Sequence, residues 1–488
     1  MAAITRDRRR TGRRGRLGVR FVGVLLALVL PACSSLINTD RPIGMPDPVK
    51  QEEAATPQNR EHRRILAAYG GAYADPKLEA LIAGMVDKLV AASEQTEPRY
   101  KVTILNSAAI NAFALPTGQL YITRGLLGLA NDEAELASVL AHEMAHVIAH
   151  HATIRENEVR RAAIAANTTA EAMNDSTGAL ALAKSKIALA SFSRAQELEA
   201  DGIGIGIAAR AGYDPQGAER FLNSMNRFAN LRSASSADPR SRDFLSSHPT
   251  TPERIENAAN KARQYPGGTR GAAEFLASLD GIVYGEDPVE GFVRRRRFMH
   301  PKLGFAFTAP EGFTLENTAQ AVLGTKQGGD QALRLDIVRP ETESTLAAYI
   351  NSGWIENIEP GSVEEIRVGG FPAATATARG DDWWFRLFVV RYGKEVFRFI
   401  FASKNKAPEI DRTFRESINT FRRLSLAEAT AVKPWRLKVV TVARDDTVER
   451  LAARMAQPDR QVERFRVLNG IGPDVRLKPG ERVKIVVE

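Results

Sequence analysis

His142-Glu143-Met144-Ala145-His146 is the stretch that decides how the rest of this 488-residue chain is read. On a helix, residues four apart share a face, so both imidazoles can reach one metal ion while Glu143 lies beside them, placed to take a proton from an attacking water. The chain holds only 7 histidines, so two of them bracketing a glutamate in this way is a specific signal. Leu136, Val139, Leu140 and Val147 give the same segment an apolar stripe, as a buried helix requires. Asn131 or Asp132 can cap its start, and the acidic residues after them suit a helix N-terminus. The periodicity predicts a helix running to about His151.

A catalytic zinc takes three protein ligands and keeps one position open. The third ligand is not a histidine six residues after His146, because position 152 is Ala. Glu197-Leu198-Glu199-Ala200-Asp201 offers a carboxylate instead. Glu197 and Asp201 share a helix face, so Glu197 can bind the metal while Asp201 accepts the outer N–H of a ligating histidine. Glu199 points elsewhere and is the weaker candidate. His150 and His151 read as solvated or hydrogen-bonded surface residues.

Four blocks, in order, carry a resemblance: Asn111-Ala112-Phe113-Ala114, His142 to His146, Ser193 to Asp201, and Ser247-His248-Pro249-Thr250-Thr251-Pro252-Glu253-Arg254-Ile255. Together they resemble the M48 zinc metallopeptidases, gluzincins that include CAAX-prenyl-protease and HtpX-type enzymes, and most closely the periplasmic BepA-like branch. The resemblance spans roughly residues 60–265. It implies one Zn2+ per chain on His142, His146 and Glu197, with Glu143 as the catalytic base. It implies that His248 can approach the metal as a reversible, regulatory fourth ligand; the bland alternative is that His248 only begins a helix. It also makes Asn111, Ala112, Phe113 and Ala114 the cleft's edge strand for a polypeptide substrate, against the alternative of an ordinary core strand.

Outward from this domain, the chain divides into several parts. Residues 1–33 resemble an export signal: a basic stretch, an apolar run from Phe21 to Leu30 too short to span a bilayer comfortably, then Leu30-Pro31-Ala32-Cys33. That ending resembles a lipoprotein box, which implies acylation of Cys33, the only cysteine, and a lipid anchor in the outer membrane; a plain signal peptide is the alternative. Eight arginines against one aspartate in residues 1–32 account for +7 of the net charge of +9, leaving +2 for the remainder. That distribution argues against nucleic acid as a partner. Residues 34–60 read as a tether, 61–265 as a mainly α (α+β) zincin-type metallopeptidase domain, and 266–289 as a linker. Within the peptidase stretch, 155–196 read as Ala-rich helix and 228–250 as a polar loop.

Residues 290–427 read as a separate α+β domain of unknown role, with helices over Ser344–Trp354 and Glu409–Leu424. Trp354, Trp383, Trp384 and Phe388 sit there at strand spacing, as core side chains do. Residues 435–488 resemble a small βααβ LysM-like module, which implies peptidoglycan binding, although Asp445 stands where such modules usually carry Gly, and a structural role is the alternative. The whole reads as a multidomain, zinc-dependent endopeptidase of the bacterial cell envelope, periplasmic and lipid-anchored. It would cleave misfolded or stalled envelope proteins, with outer-membrane assembly machinery as a further partner. The alternative is an assembly chaperone or cell-wall adaptor whose zinc site is mostly shut.

Overall fold

The computed structural model describes residues 57–94, 99–155, 157, 192–233, 247–340, 344–380 and 382–488. The proposed signal, Cys33, most of the tether and most of 155–196 lie outside the described residues.

The peptidase region begins with helix α1 (Pro57–Ala68) and helix α2 (Pro76–Ala92). Asp75 caps α2, accepting from the Leu78 N–H, and Pro76 fits the first turn, where no N–H is needed. A three-stranded sheet follows, ordered β1 (Lys101–Leu105), β3 (Gln119–Thr123), β2 (Ala112–Ala114). β1 runs parallel to β3, and β2 pairs antiparallel with it in the register Ala112↔Ile122, Phe113↔Tyr121, Ala114↔Leu120. β2 is therefore an edge strand.

Helix α3 (Arg124–Leu129) leads into α4 (Glu133–Ile148), which carries the paired histidines. Of the two candidate caps, Asp132 is the one used: its side chain accepts from the Glu135 N–H. α4 ends earlier than the periodicity predicts, because His150 takes a left-handed φ of 54°. A short helical segment resumes at His151.

Two further helices pack on α4. The first, Arg194–Arg210, starts in a capping box between Ser193 and Gln196. A Cβ on Gly204 would sit 2.9 Å from the His142 backbone nitrogen, so glycine there lets the two helices approach to backbone contact. The second, Gly217–Ser233, overruns the expected loop start at 228. Phe221, Leu222, Met225 and Leu231 recur at helical spacing and are buried, which holds the last turns in place.

Residues 266–289, read as a linker, contain the helix Ala272–Leu279 and strand β4 (Val283–Tyr284). β4 pairs with β16 (Trp435–Thr441), which pairs in turn with β17 (Arg482–Val487). Helices Val448–Ala452 and Gln461–Leu468 stand between β16 and β17, giving a β-α-α-β order. The core of this C-terminal unit is continuous with that of the peptidase region: Leu437, Leu451, Phe465 and Val486 belong to one apolar cluster with Leu126, Leu127 and Leu140. The Lys484 ammonium is fully buried and donates to the carbonyls of Gly128, Leu129 and Ala130 at 2.8, 3.3 and 2.7 Å. It thus satisfies the exposed carbonyls at the end of α3.

The middle region, as expected, mixes helices and sheets. A seven-stranded antiparallel sheet, centred on β12 (Phe371–Arg379), β13 (Trp384–Tyr392) and β14 (Glu395–Ser403), packs a phenylalanine-rich face against a four-stranded sheet and the helix Pro408–Ile418. Trp384 and Phe388 lie in that core. The expected helix over 409–424 stops at Ile418, and Arg422–Arg423 form an edge strand instead. Among the described residues, no helix is long and apolar enough to cross a membrane.

Candidate metal centre

The histidine helix α4 and the Arg194–Arg210 helix face each other across the Gly204 contact. That contact brings one donor atom each from His142, His146, Glu197 and His248 within 4.8 Å of one another, all buried. His142 Nε2 lies 3.0 Å from His146 Nε2, 3.3 Å from His248 Nδ1 and 3.6 Å from Glu197 Oε2. Glu197 Oε1 lies 3.5 Å from His146 Nε2 and 2.9 Å from His248 Nδ1.

Hydrogen-bond partners fix which nitrogens carry protons. His142 Nδ1 sits 2.9 Å from Asp201 Oδ1, so its N–H donates there and its Nε2 presents a lone pair. His151 Nε2 donates to Glu199 Oε2 at 3.3 Å, which leaves His151 Nδ1 free to accept from His146 Nδ1 at 3.0 Å. His146 Nε2 therefore also presents a lone pair. Two imidazole lone pairs then face each other across 3.0 Å, with a carboxylate beside them. That arrangement calls for a cation between them. Tetrahedral zinc with bonds of about 2.0–2.1 Å separates its ligand atoms by about 3.3–3.4 Å, and the five distances given above bracket that value. The donor set, two or three imidazoles and a carboxylate, suits zinc.

Electrostatics point the same way. Burial pushes the pKa values of His142 and His146 down, and burial and the Arg254 charge push His248 down to about 3. All three imidazoles are neutral at neutral pH, as ligands must be. Burial and the neighbouring Glu197 charge raise Glu143 well above the usual carboxylate range. Its Oε1 is buried, accepts no hydrogen bond among the described residues, and lies 3.7 Å from His248 Nε2. Burial alone would raise Asp201, but hydrogen bonds from His142 and Arg254 outweigh it and hold the carboxyl below its ordinary value.

Three residues join this centre that the sequence reading did not place there. His151 was expected at the surface, yet it is 1% exposed and buttresses His146. The left-handed turn at His150 swings it inward, and a positive φ at a non-glycine residue leaves no mark in a sequence. Arg254 is buried, grips both oxygens of Asp201 at 2.8 Å and lies 2.5 Å from Glu197 Oε2. It follows His248 by six positions in a block singled out above for its resemblance alone. Phe192 stacks on His146 with ring centroids 4.0 Å apart. Glu199, as expected, stays out of the donor cluster. Asn111, expected within the edge strand, lies just before it; its side-chain N–H donates to the Tyr69 hydroxyl at 2.9 Å, and Phe113 stacks on Tyr121. β2 and Glu143 line one cleft, together with His146 and His248.

Comparison with known proteins agrees with this geometry. Residues 76–262 match the family model for peptidase family M48, a span that contains every residue of the centre. This is an M48 peptidase domain. The chain is 31% identical over 228 residues to the beta-barrel assembly-enhancing protease of Yersinia pestis, covering 44% of this chain and 45% of that protein. It is 31% identical over 200 residues to the protein of the same name from Escherichia coli (strain K12), covering 39% of this chain and 40% of that one. A third relative, a protease HtpX homolog of Acidiphilium cryptum, is 40% identical over 91 residues, 17% of this chain and 30% of the relative. The chain thus spans about half or less of the length of the curated relatives it matches. The M48 domain accounts for the metal centre, while the middle and C-terminal regions lie beyond the family match.

Proposed function

We propose that this chain is a zinc-dependent endopeptidase of the bacterial cell envelope, with one Zn2+ held by His142, His146 and Glu197 and with Glu143 as the catalytic base. The observation that carries this reading is the pair of imidazole lone pairs facing across 3.0 Å, in one cleft with the buried Glu143 carboxyl, one oxygen of which accepts no hydrogen bond among the described residues. Bound zinc supplies Lewis acidity, which lowers the pKa of water and polarises a peptide carbonyl.

The protein's own side chains do the rest. Glu143 takes the proton of the attacking water, and its raised pKa makes it a stronger proton acceptor than an ordinary glutamate. It then passes that proton to the leaving amine. Asp201 holds the His142 ring in the tautomer that presents Nε2, and His151 with Glu199 does the same for His146. Arg254 faces the negative charge of both Asp201 and Glu197; it helps hold Asp201 ionised and opposes, without cancelling, the upward push of burial on Glu197. Among the described residues β2 has a strand neighbour on one side only, and an extended polypeptide can align along the other.

His248 is the regulatory element in this reading. Its Nδ1 sits where a fourth ligand would, 3.3 Å from His142 Nε2, and so excludes substrate until it moves. The same observation favours the second reading, an assembly chaperone or cell-wall adaptor with a mostly shut site. The names of the relatives, which speak of beta-barrel assembly, support envelope proteins and their assembly machinery as substrates or partners. Quality control of misfolded envelope proteins, periplasmic location and acylation of Cys33 complete the proposal on the sequence alone, as does peptidoglycan binding by residues 435–488.

Casein cleavage by the purified chain tests it. Cleavage that a chelator abolishes and zinc restores, and that rises in His248→Ala, is expected. Zinc binding with no cleavage by either protein would favour the adaptor.

A further inference from the structure

The M48 cleft beside Glu143 and His146 has a volume of about 380 Å³. Its walls are largely apolar, with Phe113, Leu115, Val147 and Phe192 among them, and among the described residues Arg155 is the one fixed positive charge in its lining. The short helical segment that follows the left-handed turn at His150 carries Arg155 to this wall. Its guanidinium lies 4.3 Å above the ring of Phe192, the same ring that stacks on His146.

Elsewhere in the structure, several guanidinium groups taken out of water are matched with carboxylates, whereas the buried Arg124 donates to Asn106 and to the carbonyls of Val283 and Gly285. Arg254 faces Asp201 and Glu197, Arg220 faces Asp132 and Asp214, Arg386 faces Asp411, and Arg398 faces Asp336. Arg155 is half-buried, and among the described residues no carboxylate lies within ion-pair distance of it. Burial depresses its pKa with no opposing charge. The nearby carboxylates are committed: Glu197 to Arg254 and Glu143 to the reacting centre. A planar guanidinium, held on an aromatic face and partly stripped of water, is a bidentate receptor for a carboxylate.

We propose that Arg155 determines substrate specificity by binding a carboxylate of the polypeptide, either an Asp or Glu side chain near the scissile bond or a free C-terminus. This rests on the proteolytic reading above, and it adds which polypeptides the cleft prefers. A purely structural Arg155 would only hold Phe192 against His146, and its loss would weaken all substrates alike.

The test uses the zinc-loaded full chain and fluorogenic peptides of one apolar sequence. Each peptide carries Asp, Asn or Lys at positions scanned across the scissile bond, with the C-terminus free or amidated. The wild type is expected to favour Asp over Asn by about tenfold or more in kcat/KM, the size of one charge-assisted contact. The ratio should fall to about one in Arg155→Gln, and Arg155→Glu should favour Lys. A preference that follows the free terminus and not the internal Asp would identify the terminus as the source. Binding of the same peptides to zinc-loaded Glu143→Gln, by fluorescence anisotropy, with and without the Arg155 substitutions, supplies a second readout that needs no turnover. If no protein cleaves any peptide, the proteolytic reading fails, and charge-dependent binding still decides the role of Arg155. Ratios that do not change among the three Arg155 proteins, or binding indifferent to peptide charge, would overturn the proposal.

Discussion

Replacing His151 with Phe isolates the one part of the centre that sequence reasoning left at the surface. The ring is 1% exposed, and Phe, somewhat larger than the imidazole, leaves no cavity. What it removes is the acceptor 3.0 Å from His146 Nδ1 and, with it, the link to Glu199. The His146 N–H is then buried without a partner, at a cost of about 1–3 kcal/mol. His146 can escape that cost by rotating or by shifting its proton to Nε2, and either change withdraws the lone pair the metal needs. Removal of such an outer partner typically weakens metal affinity by about 10–100-fold. Zinc affinity measured by competition with a chromophoric chelator should fall by that amount in His151→Phe. Loss of the remote contact alone should matter less, so Glu199→Gln, whose carboxylate is more than half exposed, should show a smaller drop. If His151→Phe bound zinc within about threefold of the wild type, the tautomer argument for His146 would be wrong.

Other substitutions probe the packing around the centre. Gly204→Ala puts a Cβ 2.9 Å from the His142 backbone nitrogen, so the two helices must part, and both stability and zinc affinity should fall, stability by about 1–3 kcal/mol in urea titration. Lys484→Met takes the ammonium donor from the Gly128 and Ala130 carbonyls, while Leu129 still accepts from Asn131, and removes one of the two positive charges facing Glu135, Arg220 being the other; the urea midpoint should drop by an amount equivalent to about 2–4 kcal/mol, and an unchanged midpoint would mean that water replaces the ammonium. Burial raises the Glu143 pKa, and the base must be unprotonated to act, so Glu143 gains its proton at pH values where an ordinary glutamate is still ionised. The acid limb of kcat/KM should therefore have its midpoint above 4.5, and a midpoint at or below that value would remove Glu143 from the role of base.

The central machinery was legible because it is written in helical spacing. His142, Glu143 and His146 need only one helix to meet, and Glu197 with Asp201 need only a second. The cap pair Asn131 and Asp132 marked the start of α4 almost to the residue, with Asp132 chosen over Asn131 by its bond to the Glu135 N–H. What escaped depends on contacts far apart in the chain or on backbone geometry without a residue signature. Arg254 reaches Asp201 across 53 positions, and nothing local in either segment says so. His151 turned inward because His150 adopts a left-handed conformation that a propensity argument assigns to glycine. The stretch 266–289 reads as a linker from its Pro and Gly content, yet β4 gains its strand character from pairing with β16, about 150 residues on. The docking of the C-terminal unit is likewise invisible locally, since Lys484 looks like a solvated strand residue until the end of α3 lies against it.

The account stands most directly on one paired measurement: metal content by mass spectrometry and casein cleavage, for the purified protein and for Glu143→Gln. It predicts one zinc per chain in both proteins, with cleavage in the first and none in the second. Cleavage undiminished in Glu143→Gln, or a protein that takes up no zinc, would contradict it.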